Sequence, residues 1–273
     1  MSQHLIRPMS LAAAGLAVLA LPALAQQPTI IPNDSACASR SHNEMREYCE
    51  VRQYTLPAVS GTLGIDAAPN GGIRVIAWNR NATQVRAIVR TRERTDAAAR
   101  AMAGDVHVRI DGSRFRTDGP NAHGNRGWSV SFEVYTPRRT DLDLHSTNGG
   151  IRVQGIDGDI AFRTTNGGVH LTDLAGDVRG RTVNGGVSVA LTGTAWSGDG
   201  LDVTTTNGGV RLTVPANYSA HLETGTVNGG LDLRFPVTVQ GRLHRGLTAD
   251  LGNGGKTIRV KTTNGSVTLA RRE

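Results

Sequence analysis

Three aspartates, Asp159, Asp177 and Asp199, recur next to glycine at steps of 18 and 22 residues. If the chain coils with that period they stack into a column, and stacked carboxylates are oxygen ligands suited to Ca²⁺. The calcium-binding repeat of this kind carries its carboxylate inside the Gly-rich turn, as G-G-x-G-x-D, and the Asn-Gly-Gly turns of this chain lack it. Acceptance of backbone N–H groups at a tight turn suits these aspartates better. No metal site is expected.

A second set, Asp143, Asp202 and Glu223, lies on alternating segments and bears on catalysis. A carbohydrate-active β-helix enzyme would need such acids to cluster with arginines in a groove, normally beside aromatic sugar platforms. Aromatic residues make up 4% of the chain, and Trp78, Trp128 and Trp196 are far apart in sequence. Gly127-Trp128-Ser129-Val130-Ser131 approaches a nucleophile elbow but lacks the last glycine and sits in an alternating strand pattern. His107, His123, His145, His170, His221 and His244 show no metal-ligand spacing. These patterns imply no catalytic residue and no cofactor.

The segments that would position these side chains are copies of one cassette. It reads TNGGIRV at Thr147, TNGGVHL at Thr165, VNGGVSV at Val183, TNGGVRL at Thr206, VNGGLDL at Val227 and, in a worn form, TNGSVTL at Thr263. An isolated copy, PNGGIRV, stands at Pro69. The Asn residues from Asn148 to Asn228 are 18, 18, 23 and 21 apart, a period that belongs to solenoids. Asn-Gly-Gly is read as a corner whose glycines supply positive φ. After it, pairs such as Ile151 and Val153, or Val169 and Leu171, alternate with Arg152, His170, Ser188, Arg211 and Asp232, giving a strand with one buried and one outward face.

A second alternating run precedes most cassettes, so two strands and two corners fill about 18–25 residues. Stacked in register about 4.8 Å apart, these coils would align Asn148, Asn166, Asn184, Asn207 and Asn228 as a hydrogen-bonded ladder. An antiparallel meander with type I′ turns is the alternative. Whole cassettes repeated at one phase have a use in a stack, whereas a meander needs complementary neighbours. The expected fold is therefore mainly β, a β-solenoid with an N-terminal β region that caps it and carries one short helix.

Four segments follow. Residues 1–25 read as a signal peptide, with Arg7 in the n-region, an apolar run, and Ala23-Leu24-Ala25 before the cut. Residues 26–48 read as a linker or arm, 49–140 as the capping β region with a helix at 95–102, and 141–273 as the repeat solenoid, with a distorted last coil or cap over 235–261. No other apolar run reaches membrane-spanning length. Cys37 and Cys49 are the only cysteines, and a separation of 12 in an exported chain suits one disulfide. A periplasmic or secreted address is expected.

The formal charge is +7, and Lys256 and Lys261 are the only lysines. Arginine binds carboxylate and phosphate bidentately, so an anionic surface polymer is a candidate partner beside an envelope protein. A solvated basic surface explains the same charge. No nucleic-acid-binding motif is present.

At the cassettes TNGGIRV, TNGGVHL, VNGGVSV and TNGGVRL, with Cys49-Glu50-Val51-Arg52 and Gly127-Trp128-Ser129-Val130 upstream, the chain resembles the bacterial adhesin-like domain-of-unknown-function family. That family is similar to the toast-rack β-solenoid domains of envelope-stress proteins. The resemblance covers roughly residues 49–269 and brings no catalytic residues. It implies a non-enzymatic, adhesin-like protein that presents a polar face to an envelope or surface component. A periplasmic envelope-stress sensing or scaffold domain is the alternative, and a carbohydrate-active enzyme is the more distant one.

Overall fold

The computed structural model describes residues 27–31, 34–38, 45–121, 124–234 and 245–272. The expected leader at 1–25, the histidines His123 and His244, and residues 235–244 of the expected cap lie outside the described residues.

Alternation in the sequence becomes alternation in burial. Ile151 and Val153, Val169 and Leu171, Val187 and Val189, and Val210 and Leu212 are buried. Arg152, His170 and Arg211 between them are exposed. With an apolar residue at every second position, each strand can bury only one face, and two sheets close over the shared core. One sheet has eleven strands and the other ten.

Within the repeats, equivalent strands lie parallel and in register. Ile151–Gln154 pairs with Val169–Thr172, which pairs with Val187–Ala190 and then with Val210–Val214. The longer strands do the same on the other sheet: Asp141–Asn148, Asp157–Asn166, Ala175–Asn184 and Gly200–Asn207 are successive neighbours. This is a β-solenoid. The meander is ruled out, because hairpins would make these pairs antiparallel.

The Asn-Gly-Gly glycines are needed for a reason other than the expected one. Gly149, Gly167, Gly185 and Gly208 do not have positive φ. Instead the neighbouring coil leaves them no room: a Cβ on Gly167 would stand 2.1 Å from the carbonyl oxygen of Gly149. The same corner is held from inside by hydroxyls two residues before each Asn. Ser146, Thr164, Thr182, Thr205 and Thr262 are buried, and each donates to the carbonyl of a cassette glycine at 2.7–2.8 Å. Where the chain does need a left-handed residue is at the opposite corner, for example Gly176 with φ 96.

The end of the stack departs from chain order. Thr257–Asn264 lies between Gly200–Asn207 and Ala220–Asn228, and Val267–Arg271 lies between Val210–Val214 and Leu231–Leu233. The coil that follows 214 therefore takes its place two positions along. The antiparallel strand Gly246–Leu251 lies on its far side, and the worn copy at Thr263 fills the gap.

At the other end the copy at Pro69 is the first coil. Ile73–Trp78 is parallel to Ile151–Gln154, and Thr62–Asp66 is parallel to Asp141–Asn148. Beyond it, Gly127–Pro137, Ala82–Glu93 and Arg46–Pro57 extend the eleven-stranded sheet. The helix Asp96–Asp105 has Thr95 as N-cap and buries Ala99 and Ala103. The Arg52 guanidinium donates to the Ala103 and Val106 carbonyls where the helix ends, satisfying acceptors that helix geometry leaves free.

Within 26–48, the segment read as a linker, Thr29–Ile31 pairs antiparallel with Arg46–Pro57. Cys37 is bonded to Cys49. Asp34 also bridges to Arg86.

Candidate functional site

The Asn ladder is continuous and carries one more rung than the five residues singled out, plus a head. Asn148 Nδ2 donates to Asn70 Oδ1 at 2.9 Å, Asn166 to Asn148 at 2.7 Å, Asn184 to Asn166 at 2.8 Å and Asn207 to Asn184 at 2.8 Å. Asn207 and Asn228 are not neighbours, as the repeat spacing implies they would be. Asn264 stands between them, donating to Asn207 and accepting from Asn228, both at 2.8 Å. Asn148, Asn166, Asn184, Asn207 and Asn264 each spend a donor and an acceptor on the rungs beside them, so this column is a structural seam.

The acidic corner does not form the expected column of three. Asp159 and Asp177 are in register, but Asp177 lies opposite Gly200, which puts Asp199 one residue out of line. Asp177 pairs with Arg179 at 2.8 Å, and Asp199 reaches Lys256 at 3.4 Å. The backbone N–H of Asp159 donates to Asp141 Oδ1 at 2.9 Å. Among the described residues no group of three or more His, Cys, Asp or Glu side chains is placed to hold a metal ion.

Asp143, Asp202 and Glu223 do meet arginines. Arg114 lies across Gly64, which has no side chain to block it, and reaches Asp143 at 3.1 Å. Arg259 joins Asp202 and Glu223, each at 2.9 Å, and Lys261 adds a contact to Glu223 at 3.2 Å. The Arg259 guanidinium, with Lys261, pulls the Glu223 carboxyl down to about 2. A carboxylate held there is ionised at any ordinary pH and is a weak proton acceptor. The three acids therefore neutralise cations across neighbouring strands.

The tryptophans are also committed to structure. Trp196 is buried and its indole N–H donates to the Gly176 carbonyl at 2.9 Å. Trp78 and Trp128 donate to the carbonyls of Ala82 and Pro120, both at 2.8 Å. Trp128, Ser129 and Ser131 lie within the strand Gly127–Pro137, so no strand-to-helix turn exists to expose a nucleophile. His145 sits 3.1 Å from Asp66 and His221 2.7 Å from Asp250, while His107 lies on an edge strand.

The outward positions of the eleven-stranded sheet make the longest polar feature. Glu133, Arg74, Arg152, His170, Ser188, Arg211, Thr268 and Asp232 lie on eight adjacent strands and share one register row. Arg74 contacts Glu133 at 3.7 Å, and among the described residues Arg152 and Arg211 have no ion-pair partner. A shallow groove of about 460 Å³ lies along the near half of this row, lined by Arg74, Arg152 and His170 with Ala36 of the N-terminal arm at its margin. The residue types legible in the sequence as outward are thus brought into a single line.

Among the described residues no helix is long and apolar enough to cross a membrane. No curated protein matches the chain. Two crystal structures resemble it in outline. One is a candidate cell adhesion protein from Clostridium sporogenes ATCC 15579, 10% identical, with a TM-score of 0.46, covering 83% of this chain and 100% of the other. The second is a candidate adhesin from Bacteroides fragilis NCTC 9343, 13% identical, with a TM-score of 0.32, covering 82% of this chain and 97% of the other. The Toastrack DUF4097 family matches residues 69–270, from the first cassette into the last strand of the chain. With every cassette and the whole Asn seam inside that span, the chain belongs to the Toastrack DUF4097 family.

Proposed function

We propose that the protein is exported and binds a component of the cell envelope or cell surface, without catalysis, through the outer face of its eleven-stranded sheet. The observation that carries this reading is the in-register polar row from Glu133 to Asp232, which spans eight strands and includes Arg152 and Arg211, without an ion-pair partner among the described residues. Repeat scaffolds use such extended faces to bind macromolecules. The Cys37–Cys49 disulfide supports an oxidising compartment, and the sequence of residues 1–25 supports export. The fixed ion pairs of Asp143, Asp202 and Glu223 argue for structural acids over a general acid and base.

The test is binding of labelled protein, purified after export, to isolated envelope fractions and whole cells, with Arg152→Glu, Arg211→Glu as the comparison. Saturable binding that the double variant loses supports the reading. Equal binding by both proteins removes this face, and no saturable binding removes adhesion. Capture of one envelope protein without binding to whole cells would favour a sensing or scaffold domain.

A further inference from the structure

The ten-stranded sheet carries a different feature on its own outer face, apart from the Arg152 and Arg211 row, and the class of ligand inferred for it rests on the proposed export. A groove of about 590 Å³ runs over its central strands, a size within the range of small-molecule sites. Four arginines line it, Arg114, Arg163, Arg179 and Arg181, against two aspartates, Asp66 and Asp143. Both aspartates are already engaged, Asp143 by Arg114 at 3.1 Å and Asp66 by His145 at 3.1 Å. Arg179 is engaged by Asp177.

Arg163 and Arg181 are left. They are direct register partners on adjacent strands, which places their backbones about 4.8 Å apart. Both are exposed, and among the described residues neither has an acidic partner. Like charges directly opposite each other on a sheet are destabilising. The next charged cluster on this face alternates opposite charges, Asp202, Arg259 and Glu223, and so satisfies its arginine. The floor beside the pair is Ala161, which leaves the two guanidiniums uncovered, and Thr204 follows Arg181 in the same row with a hydroxyl.

We infer that Arg163 and Arg181 form a binding site for an oxyanion carried by an anionic envelope polymer, a carboxylate of an acidic glycan or a phosphate of a phosphodiester chain. A guanidinium presents two parallel N–H donors, the geometry that both groups accept. Two such forks side by side hold one anion from two directions, and binding relieves their mutual repulsion. The groove is larger than one oxyanion needs, so flanking units of the polymer have room over Ala161 and toward Thr204.

The experiment titrates tetragalacturonate and, separately, a glycerol-phosphate oligomer into protein purified after export, at low ionic strength. Heat of binding and melting temperature are read together. Binding in either titration, weakened about tenfold or more by Arg163→Gln, Arg181→Gln and kept by Arg152→Gln, Arg211→Gln, is the expected result. Which titration succeeds identifies the source of the anion, and success in both means the site reads the oxyanion alone. The ligand should raise the melting temperature of the wild type but not of the groove variant. Ala161→Glu, which sets a carboxylate beside the pair, should also abolish binding while keeping the protein folded. No binding by the wild type in either titration, or equal binding by the groove variant, overturns the site.

Discussion

A Cβ on Gly167 would stand 2.1 Å from the carbonyl oxygen of Gly149, so the distance between coils is set by backbone against backbone. The glycine next to it is not so confined: a Cβ on Gly168 meets nothing closer than 3.5 Å. Gly167→Ala should therefore cost about 2–4 kcal/mol, because two rigid backbones must part. Gly168→Ala should change stability by no more than about 1 kcal/mol, since neither its φ nor its surroundings oppose a methyl group. Denaturant unfolding of the two variants decides the matter; similar losses from both would mean that flexibility, not clearance, is what the corner needs.

Thr182 donates to the Gly167 carbonyl at 2.8 Å from a buried position, while Thr206, on the outer side of an equivalent corner, is exposed. Thr182→Val keeps the shape and removes the bond, and should cost about 1–2 kcal/mol. Thr206→Val should stay within about 0.5 kcal/mol of the wild type. Equal effects would show that the inner hydroxyl column is not what fixes the corner.

Glu223 predicts how stability follows acid. Its folded-state carboxyl is depressed to about 2 by Arg259 and Lys261, below the ordinary 4.5 of an unfolded chain. A depressed carboxyl contributes stability above the unfolded value and loses it as pH falls toward the folded value. Glu223→Gln should lower the melting temperature by about 3 °C at neutral pH, for a loss of about 1 kcal/mol. That difference should shrink between about pH 4.5 and pH 2 and vanish below it. A gap that stays constant through this window would mean that the ion pairs with Glu223 add nothing.

Much of the fold was legible because it depends on local periodicity. Ile151 and Val153, and their counterparts in each cassette, announce one buried face, and repeated Asn at one phase announces stacking. The role of the glycines was not legible, since Asn-Gly-Gly has the same composition whether it needs positive φ or merely clearance from the next coil. Neither was the order of the last coils. All the cassettes have nearly the same edges, so nothing local in TNGSVTL at Thr263 says that its neighbours are the coils bearing Asn207 and Asn228.

The sites follow the same division. Arg152 and Arg211 could be placed outward from alternation alone. Arg163 and Arg181 are not legible in the same way, because an unpaired charge is a property of neighbours across strands, which only register defines. A signal did exist: both stand three residues before a ladder Asn, at the position held by His145, Thr204 and Lys261 in other coils. The inner hydroxyls had one too, a Ser or Thr two residues before Asn148, Asn166, Asn184, Asn207, Asn228 and Asn264.

The displaced last copy has a consequence in time. A solenoid grows by accretion, order passing from any formed coil to its neighbour. Here accretion must stop at Gly200–Asn207, whose next neighbour in space has not yet been made. Ala220–Asn228 waits with only its antiparallel partner Gly246–Leu251, and two raw parallel edges face an empty slot. When Thr257–Asn264 and Val267–Arg271 enter, both edges are sealed in one event, as a keystone locks the two halves of an arch. The closing step joins segments far apart in the chain, so it is expected to be the slow one, and a chain interrupted before it would keep the open edges on which strands aggregate.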